Sequence, residues 1–230
     1  MTPAQNHLIE RLPPKDRRHL MSIAEPVMLV LGDVLCQRGA PTRHVYFPVD
    51  AFISLVTAVD AHPSLEVGMV GREGMLGAPL ALGMAAAPWR SLVQGGGSAW
   101  RIAALPFRRE LAGSVALQRG LDRYLFVLLA QLATSAACVR FHEIGPRLAR
   151  WLLMTQDRAH ADRFVVTHEF LACMLGVRRV GVTLAAGALQ RRGLIAYHRG
   201  QVDVLDRAGL EAAACSCYGA DRQGYRERLD

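Results

Sequence analysis

A chain of 230 residues is longer than one small core needs and suits two domains, because domains of about 100 to 150 residues are the commonest way to bury apolar surface. Apolar residues make up 51% of it and charged residues 20%, a balance that excludes a disordered or fibrous chain. The net charge of +7 and isoelectric point near 9.6 favour a polyanionic partner, either nucleic acid or an anionic membrane surface.

No unbroken apolar run reaches the roughly 18 residues of a membrane helix. Leu125 to Val139 comes nearest, but Gln131, Thr134 and Ser135 interrupt it and Arg123 and Arg140 bound it, so no membrane partner is expected. Met1 to Leu20 carries Glu10, Lys15 and Asp16 and lacks the apolar centre of a secretory signal, which makes the cytoplasm the expected location. The five cysteines, Cys36, Cys138, Cys173, Cys215 and Cys217, are scattered and odd in number, as suits reduced thiols. Cys215-x-Cys217 is the one close pair, and without a second pair or a nearby histidine it reads as ordinary thiols, with no metal site expected.

In chain order, a helical lead from Asn6 to Ile23 is broken at Pro13-Pro14. Strands follow at Val27 to Leu31, Val34 to Cys36, His44 to Phe47, Ala51 to Val59 and Leu65 to Val70, with turns at Gly32-Asp33 and Arg38 to Pro41. A glycine-punctuated segment from Gly71 to Gly83 and a strand-connecting turn at Gly95 to Gly97 come next. Short strands at this spacing predict a barrel or sandwich.

From about Val115 the rhythm changes. Leu121, Leu125, Leu128, Leu132, Ser135 and Val139 recur at alternating steps of four and three along one long helix. Such a seam packs against the protein's own barrel or against a second copy. Length favours the second, because a helix of about 25 residues extends roughly 37 Å, and Leu121, Leu125, Leu128, Leu132 and Val139 are the candidate dimer contacts. Gly145-Pro146 marks the predicted end of this helix, and another begins at Arg147. The divisions expected are residues 1–114 for the strand-rich N-terminal domain, 115–143 for the long dimerisation helix and 144–230 for the C-terminal domain.

Thr167 to Leu184 has the spacing of a helix-turn-helix. Thr167 can cap the first helix, Ala172 is small where two helices cross, Gly176 permits the turn, and Val177 and Val182 fill the space beneath. The second helix offers Arg178, Arg179 and Thr183 from its first turn, where recognition helices meet base edges; arginine there either pairs with guanine or neutralises a phosphate. Gly193 to Val204 reads as strand, turn, strand with His198-Arg199-Gly200 at the tip, a basic wing. The candidate DNA-contacting set is Thr167, Arg178, Arg179, Gly181, Thr183, His198 and Arg199, and Asp206 is the expected cap of a last helix.

These residues resemble the Crp/Fnr superfamily of transcription regulators over nearly the whole chain. Gly32, Leu35, Gly39, Tyr46-Phe47 and Phe52 to Val56 look like the early strands of its cyclic-nucleotide-binding-like β-roll, and Arg147 to Leu153 with the helix-turn-helix is similar to its DNA-binding domain. The resemblance implies an α+β protein: a jelly-roll-like β-roll, a long dimerisation helix and a C-terminal winged helix-turn-helix. It further implies a homodimer on an inverted-repeat double-stranded operator, with RNA polymerase as a further partner. Relatives that bind cyclic AMP hold the ribose with a Gly-Glu pair and the phosphate with an Arg-Ser pair. Here the first falls at Gly77-Ala78, without a carboxylate, and the second at Arg90-Ser91, the candidate effector residues. A ribose hydroxyl left without an acceptor costs about 1 to 3 kcal/mol, so cyclic AMP is not the expected effector and no cofactor is assigned. The N-terminal cysteine cluster of iron–sulfur relatives is missing too, since Cys36 alone lies in that half.

Two other classes compete with this reading. A cupin-like metalloenzyme would use His44, Asp60 and His62, but their spacing does not suit it, and no Gly-rich loop is followed by Lys-Ser or Lys-Thr, so no enzyme is expected. A metabolite- or partner-sensing module without DNA affinity would leave Arg178-Arg179 and the basic wing without a purpose.

Overall fold

The computed structural model describes residues 6–60 and 64–229. Asn6 caps α1 (His7–Glu10): its Oδ1 accepts from the Leu8 and Ile9 N–H groups, while its Nδ2 donates to the carbonyls of Pro48 and Gly74, each at 2.9 Å. Pro13 breaks the helical lead where predicted, and Pro14 opens α2 (Pro14–Ser22), a position where its missing N–H has no partner to lose.

Seven strands follow: β1 (Glu25–Leu29), β2 (Val34–Cys36), β3 (His44–Pro48), β4 (Phe52–Thr57), β5 (Leu65–Val70), β6 (Arg90–Gly95) and β7 (Gly97–Ala103). They form two sheets, ordered β1-β7-β3 and β2-β6-β4-β5. Val45, Phe47, Ile53, Leu55, Val93 and Ile102 are fully buried between or beneath these strands. This is the expected β-roll. The turn at Gly95 to Gly97 joins β6 and β7 as predicted, though neither flanking strand was legible. Gly95 must be glycine, because a Cβ there would stand 2.0 Å from the Phe52 ring. The first strand begins two residues before the apolar run suggested, and Gly71 to Gly83 contains a 3-10 turn at Ala78–Leu82.

After α3 (Ala104–Gly113) comes α4 (Val115–Phe141), of 27 residues. Averaged over an 18-residue window its mean hydropathy is 1.6, so by length and composition alone it suits a membrane as well as a protein interior. The predicted dimer seam needs correction. Leu121, Leu125 and Leu128 are 0%, 8% and 3% exposed within a single chain, so they pack against their own protein. Ser135 is buried too, Leu132 is half-buried, and Val139 is 40% exposed. The apolar stripe left facing outward is instead Phe126, Leu129, Ala130, Ala133 and Ala136-Ala137, running at helical spacing to Arg140. A four-three repeat identifies a face that is covered; it does not say by what.

Beyond α4 lie α5 (Ile144–Ala159), β8 (Arg163–Val165), α6 (His168–Leu175), α7 (Arg179–Arg191), β9 (Ile195–His198), β10 (Gln201–Val204), α8 (Arg207–Ala213) and α9 (Cys217–Leu229). Gly145-Pro146 falls in the first turn of α5 instead of ending α4, a position that tolerates proline. α5 is the hub of this region and packs against α6, α7 and α8. Arg150 on α5 is buried and bonds Asp221 of α9 through both Nε and Nη2, at 3.2 and 2.6 Å, with Ser135 Oγ taking a further bond. Burial holds the Asp221 carboxyl above its ordinary range, against the opposing pull of Arg150. The chain divides into two compact bodies, one of residues up to Leu55 with Gly68–Leu129 and the end from Tyr225, the other of Val56–Val67 with Ala130–Gly224.

Candidate nucleic-acid interface

Thr167 caps α6, its Oγ1 accepting from the Phe170 N–H at 3.1 Å. Gly176 ends the helix in the left-handed region at φ 62°, which glycine enters freely. The chain direction then turns by 108° into α7, within the range of two helices joined by a tight turn. Val182 is fully buried beneath the turn, and Val177 is half-buried. Trp151 of α5 meets the Phe170 ring edge-on, with centroids 6.5 Å apart, which fixes α6 to the hub. Arg147, also on α5, donates to the carbonyl of Leu175, so a cation closes the negative end of α6.

The outer face of α7 carries the chemistry. Arg178, at its N-cap, and Arg179 are exposed, and among the described residues neither joins an ion pair. Val180 and Leu184 are 62% and 69% exposed, apolar side chains held out to solvent beside them. Neither Val180 nor Leu184 is in the contact set expected from the sequence. The signal for Leu184 was present, because a residue four beyond Val180 shares its face.

Two predicted contact residues play different parts. Gly181 faces α5: a Cβ there would come 2.7 Å from Ile144 Cδ1, so glycine allows the two helices to approach and offers nothing outward. Thr183 is exposed, but its hydroxyl is engaged internally, bonding the Arg179 carbonyl and His168 Nδ1, each at 3.1 Å. His168 in turn stacks on Tyr197 with centroids 4.4 Å apart. Burial and the nearby Arg179 hold the His168 imidazole below its ordinary value, which favours the neutral ring.

The wing is built as predicted. β10 pairs with β9 and β8, and Gln201 pairs opposite His198 across a two-residue turn. Both turn residues have positive φ, Arg199 at 47° and Gly200 at 81°, as a type I′ hairpin requires. That geometry projects Arg199 at the tip, where it and His198 are exposed. The Val166 N–H donates to the Gly200 carbonyl at 2.7 Å and Tyr197 Oη donates to the Val166 carbonyl at 2.6 Å, so the wing and the start of α6 share one surface.

In the β-roll, a small open cleft is lined by Leu35, Cys36, Thr42 to His44, Leu76, Gly77, Pro79, Ala87 to Trp89 and Ser91. Ser91 Oγ is buried there without a hydrogen-bond partner. Arg90 is not among the lining residues, because successive residues of a strand face opposite sides. No carboxylate lines the cleft; Arg43 is the charged side chain among its lining residues, with the His44 imidazole beside it in sequence. Of the alternative metal set, His44 lies on β3 and Asp60 in a turn, while His62 lies outside the described residues.

A right-angled helix pair with a basic three-stranded wing defines a winged helix-turn-helix, a DNA-binding class. Residues 146–213 match the Crp-like helix-turn-helix domain family. Among solved structures the fold is similar to FixK2 of Bradyrhizobium japonicum, with a TM-score of 0.71 at 14% identity over 84% of this chain and 98% of that one. A putative Crp/Fnr-family regulator of Eubacterium rectale gives 0.69 at 15% identity, over 90% and 96%. A Crp/Fnr-family regulator of Thermus thermophilus gives 0.68 at 22% identity, over 83% and 98%. No curated relative matches the chain by sequence. The domain match gives this chain a Crp-like helix-turn-helix domain, and over most of its length its fold is similar to that of structures described as Crp/Fnr-family regulators.

Proposed function

We propose that the chain works as a cytoplasmic dimer that reads an inverted-repeat operator through the start of α7, with the wing tip on the adjacent backbone and RNA polymerase as its partner at the promoter. The observation that carries this reading is the exposed pair Arg178 and Arg179 beside the exposed Val180 and Leu184 on α7, with exposed Arg199 at the wing tip, a pattern of phosphate and guanine binders with apolar groups suited to thymine methyls. The Ala-rich outer stripe of α4 offers the second copy a close-packing face. Arg178→Ala and Arg179→Ala are each expected to weaken operator binding, by about 1 to 3 kcal/mol for whichever residue reads a base. Titrations on a selected operator and its single-base variants check this. Loss of preference at one position marks a base contact, a uniform loss with a shallower salt dependence marks a phosphate contact, and unchanged affinity in both variants defeats the assignment.

Cyclic AMP is expected not to control this regulator. The cleft offers Ser91 and the Arg43 guanidinium to an anion, but no carboxylate to accept from a ribose hydroxyl. A ligand regulates only through unequal affinity for two states. Calorimetry with cyclic AMP should show no binding of consequence, and operator affinity should be unchanged by it; a gain of tenfold or more, about 1.4 kcal/mol of coupling, would overturn this reading.

A further inference from the structure

The end of α4 and the start of α9 bring four ligand-type side chains together. Cys138 lies in the last turn of α4, and His142 follows just past its end, its N–H bonded to the Cys138 carbonyl at 3.1 Å so that the helical rise continues. Cys215 precedes α9 and Cys217 is its first residue. Cys138 Sγ and Cys215 Sγ are 3.5 Å apart, and Cys217 Sγ and His142 Nδ1 are 3.6 Å apart. One donor atom from each of the four lies within 4.8 Å of all the others. The three thiols are free and buried, at 2%, 7% and 8% exposure, and His142 is half-buried. Cys215-x-Cys217 therefore does have its second pair, Cys138-x3-His142, which the sequence reading did not join to it.

Geometry and charge both point to a bound ion. Zinc holds sulfur at about 2.3 Å and imidazole nitrogen at about 2.0 to 2.1 Å in a tetrahedron, which sets sulfur–sulfur edges near 3.8 Å and sulfur–nitrogen edges near 3.5 Å. The two distances above fall beside these values, and the whole group is too tight to surround a cluster of several irons. Three thiolates and a neutral imidazole around a divalent ion carry one net negative charge. Arg147 is buried beside them, within the electrostatic reach of Cys138 and Cys215, and among the described residues no carboxylate pairs with it. The Leu175 carbonyl and the end of α6 give this cation a partial counter-charge, and a formal negative charge nearby would complete it. A metal–thiolate centre supplies that charge.

We propose that Cys138, His142, Cys215 and Cys217 form a tetrahedral site for one zinc-class divalent ion, which staples the end of α4 to the start of α9. On loading, each of the three thiols releases its proton to solvent and forms a sulfur–metal bond, His142 binds as the neutral ring through Nδ1, and no electron is transferred. The site goes beyond the DNA-binding reading and stands or falls separately from it.

The test uses the full chain purified under reducing, chelator-free conditions, followed by metal analysis and by titration of the metal-stripped protein with cobalt(II). One equivalent of metal per chain is expected, with the visible bands of tetrahedral cobalt and its sulfur charge-transfer absorption. Cys217→Ser and His142→Ala should each lose stoichiometric binding and change the cobalt spectrum, while Cys36→Ser and Cys173→Ser should keep both; circular dichroism identifies the variants that remain folded. Cobalt bound equally by Cys217→Ser, or five freely alkylating thiols under excess cobalt, would overturn the proposal. So would a Cys138–Cys215 disulfide persisting in the reduced preparation in place of metal, which would make the pair a redox element.

Discussion

Asp221→Ala will lower the stability of the full chain by about 3 to 5 kcal/mol, because it leaves the Arg150 guanidinium buried with Ser135 as its remaining side-chain partner. The cost comes from an uncompensated charge, more than from a lost attraction. Replacing both partners by apolar residues of similar volume, Arg150→Met with Asp221→Leu, should therefore recover most of the loss, since a buried pair offsets its own desolvation only narrowly. Urea unfolding followed by circular dichroism checks both. A single-variant loss below about 1 kcal/mol would show that water reaches the pair.

On the proposed dimer through α4, Leu129→Glu is expected to give monomer, whereas charge at the buried Leu128 is expected to unfold the chain instead. Leu129 is 63% exposed in the single chain, and in a two-fold dimer through α4 each copy meets its own counterpart, so the substitution sets like charges face to face. With one half-site held at a time, operator affinity should fall by about 10²- to 10⁴-fold as the second contact ceases to be intramolecular. Light scattering and operator titration together decide this. A Leu129→Glu protein that stays dimeric places the interface elsewhere, and a wild-type monomer at micromolar concentration removes the dimer.

What could be read in advance was local. Thr167 and Gly176 announce the helix-turn-helix because a cap and a left-handed glycine act within a few residues, and Arg199-Gly200 announces a hairpin for the same reason. What failed was long-range. The spacing of Leu121, Leu125 and Leu128 shows that something covers them, yet the chain's own residues and a second copy leave the same periodic mark. Arg90 and Ser91 read as a pair until the strand sends them to opposite sides. Cys138 and Cys215 are 77 residues apart in sequence, and no local pattern ties them; tertiary structure alone makes them neighbours.

The engagement of Thr183 with His168 has a consequence for how this regulator can be retargeted. A side chain that braces the two helices against each other is shared by every operator the protein binds, so altering it changes all of them together. Val180 and Leu184 carry no such bond: they project from α7 and are largely exposed. Variation in operator preference, whether by natural drift or by design, can accumulate at these two positions while the scaffold that presents them is left alone.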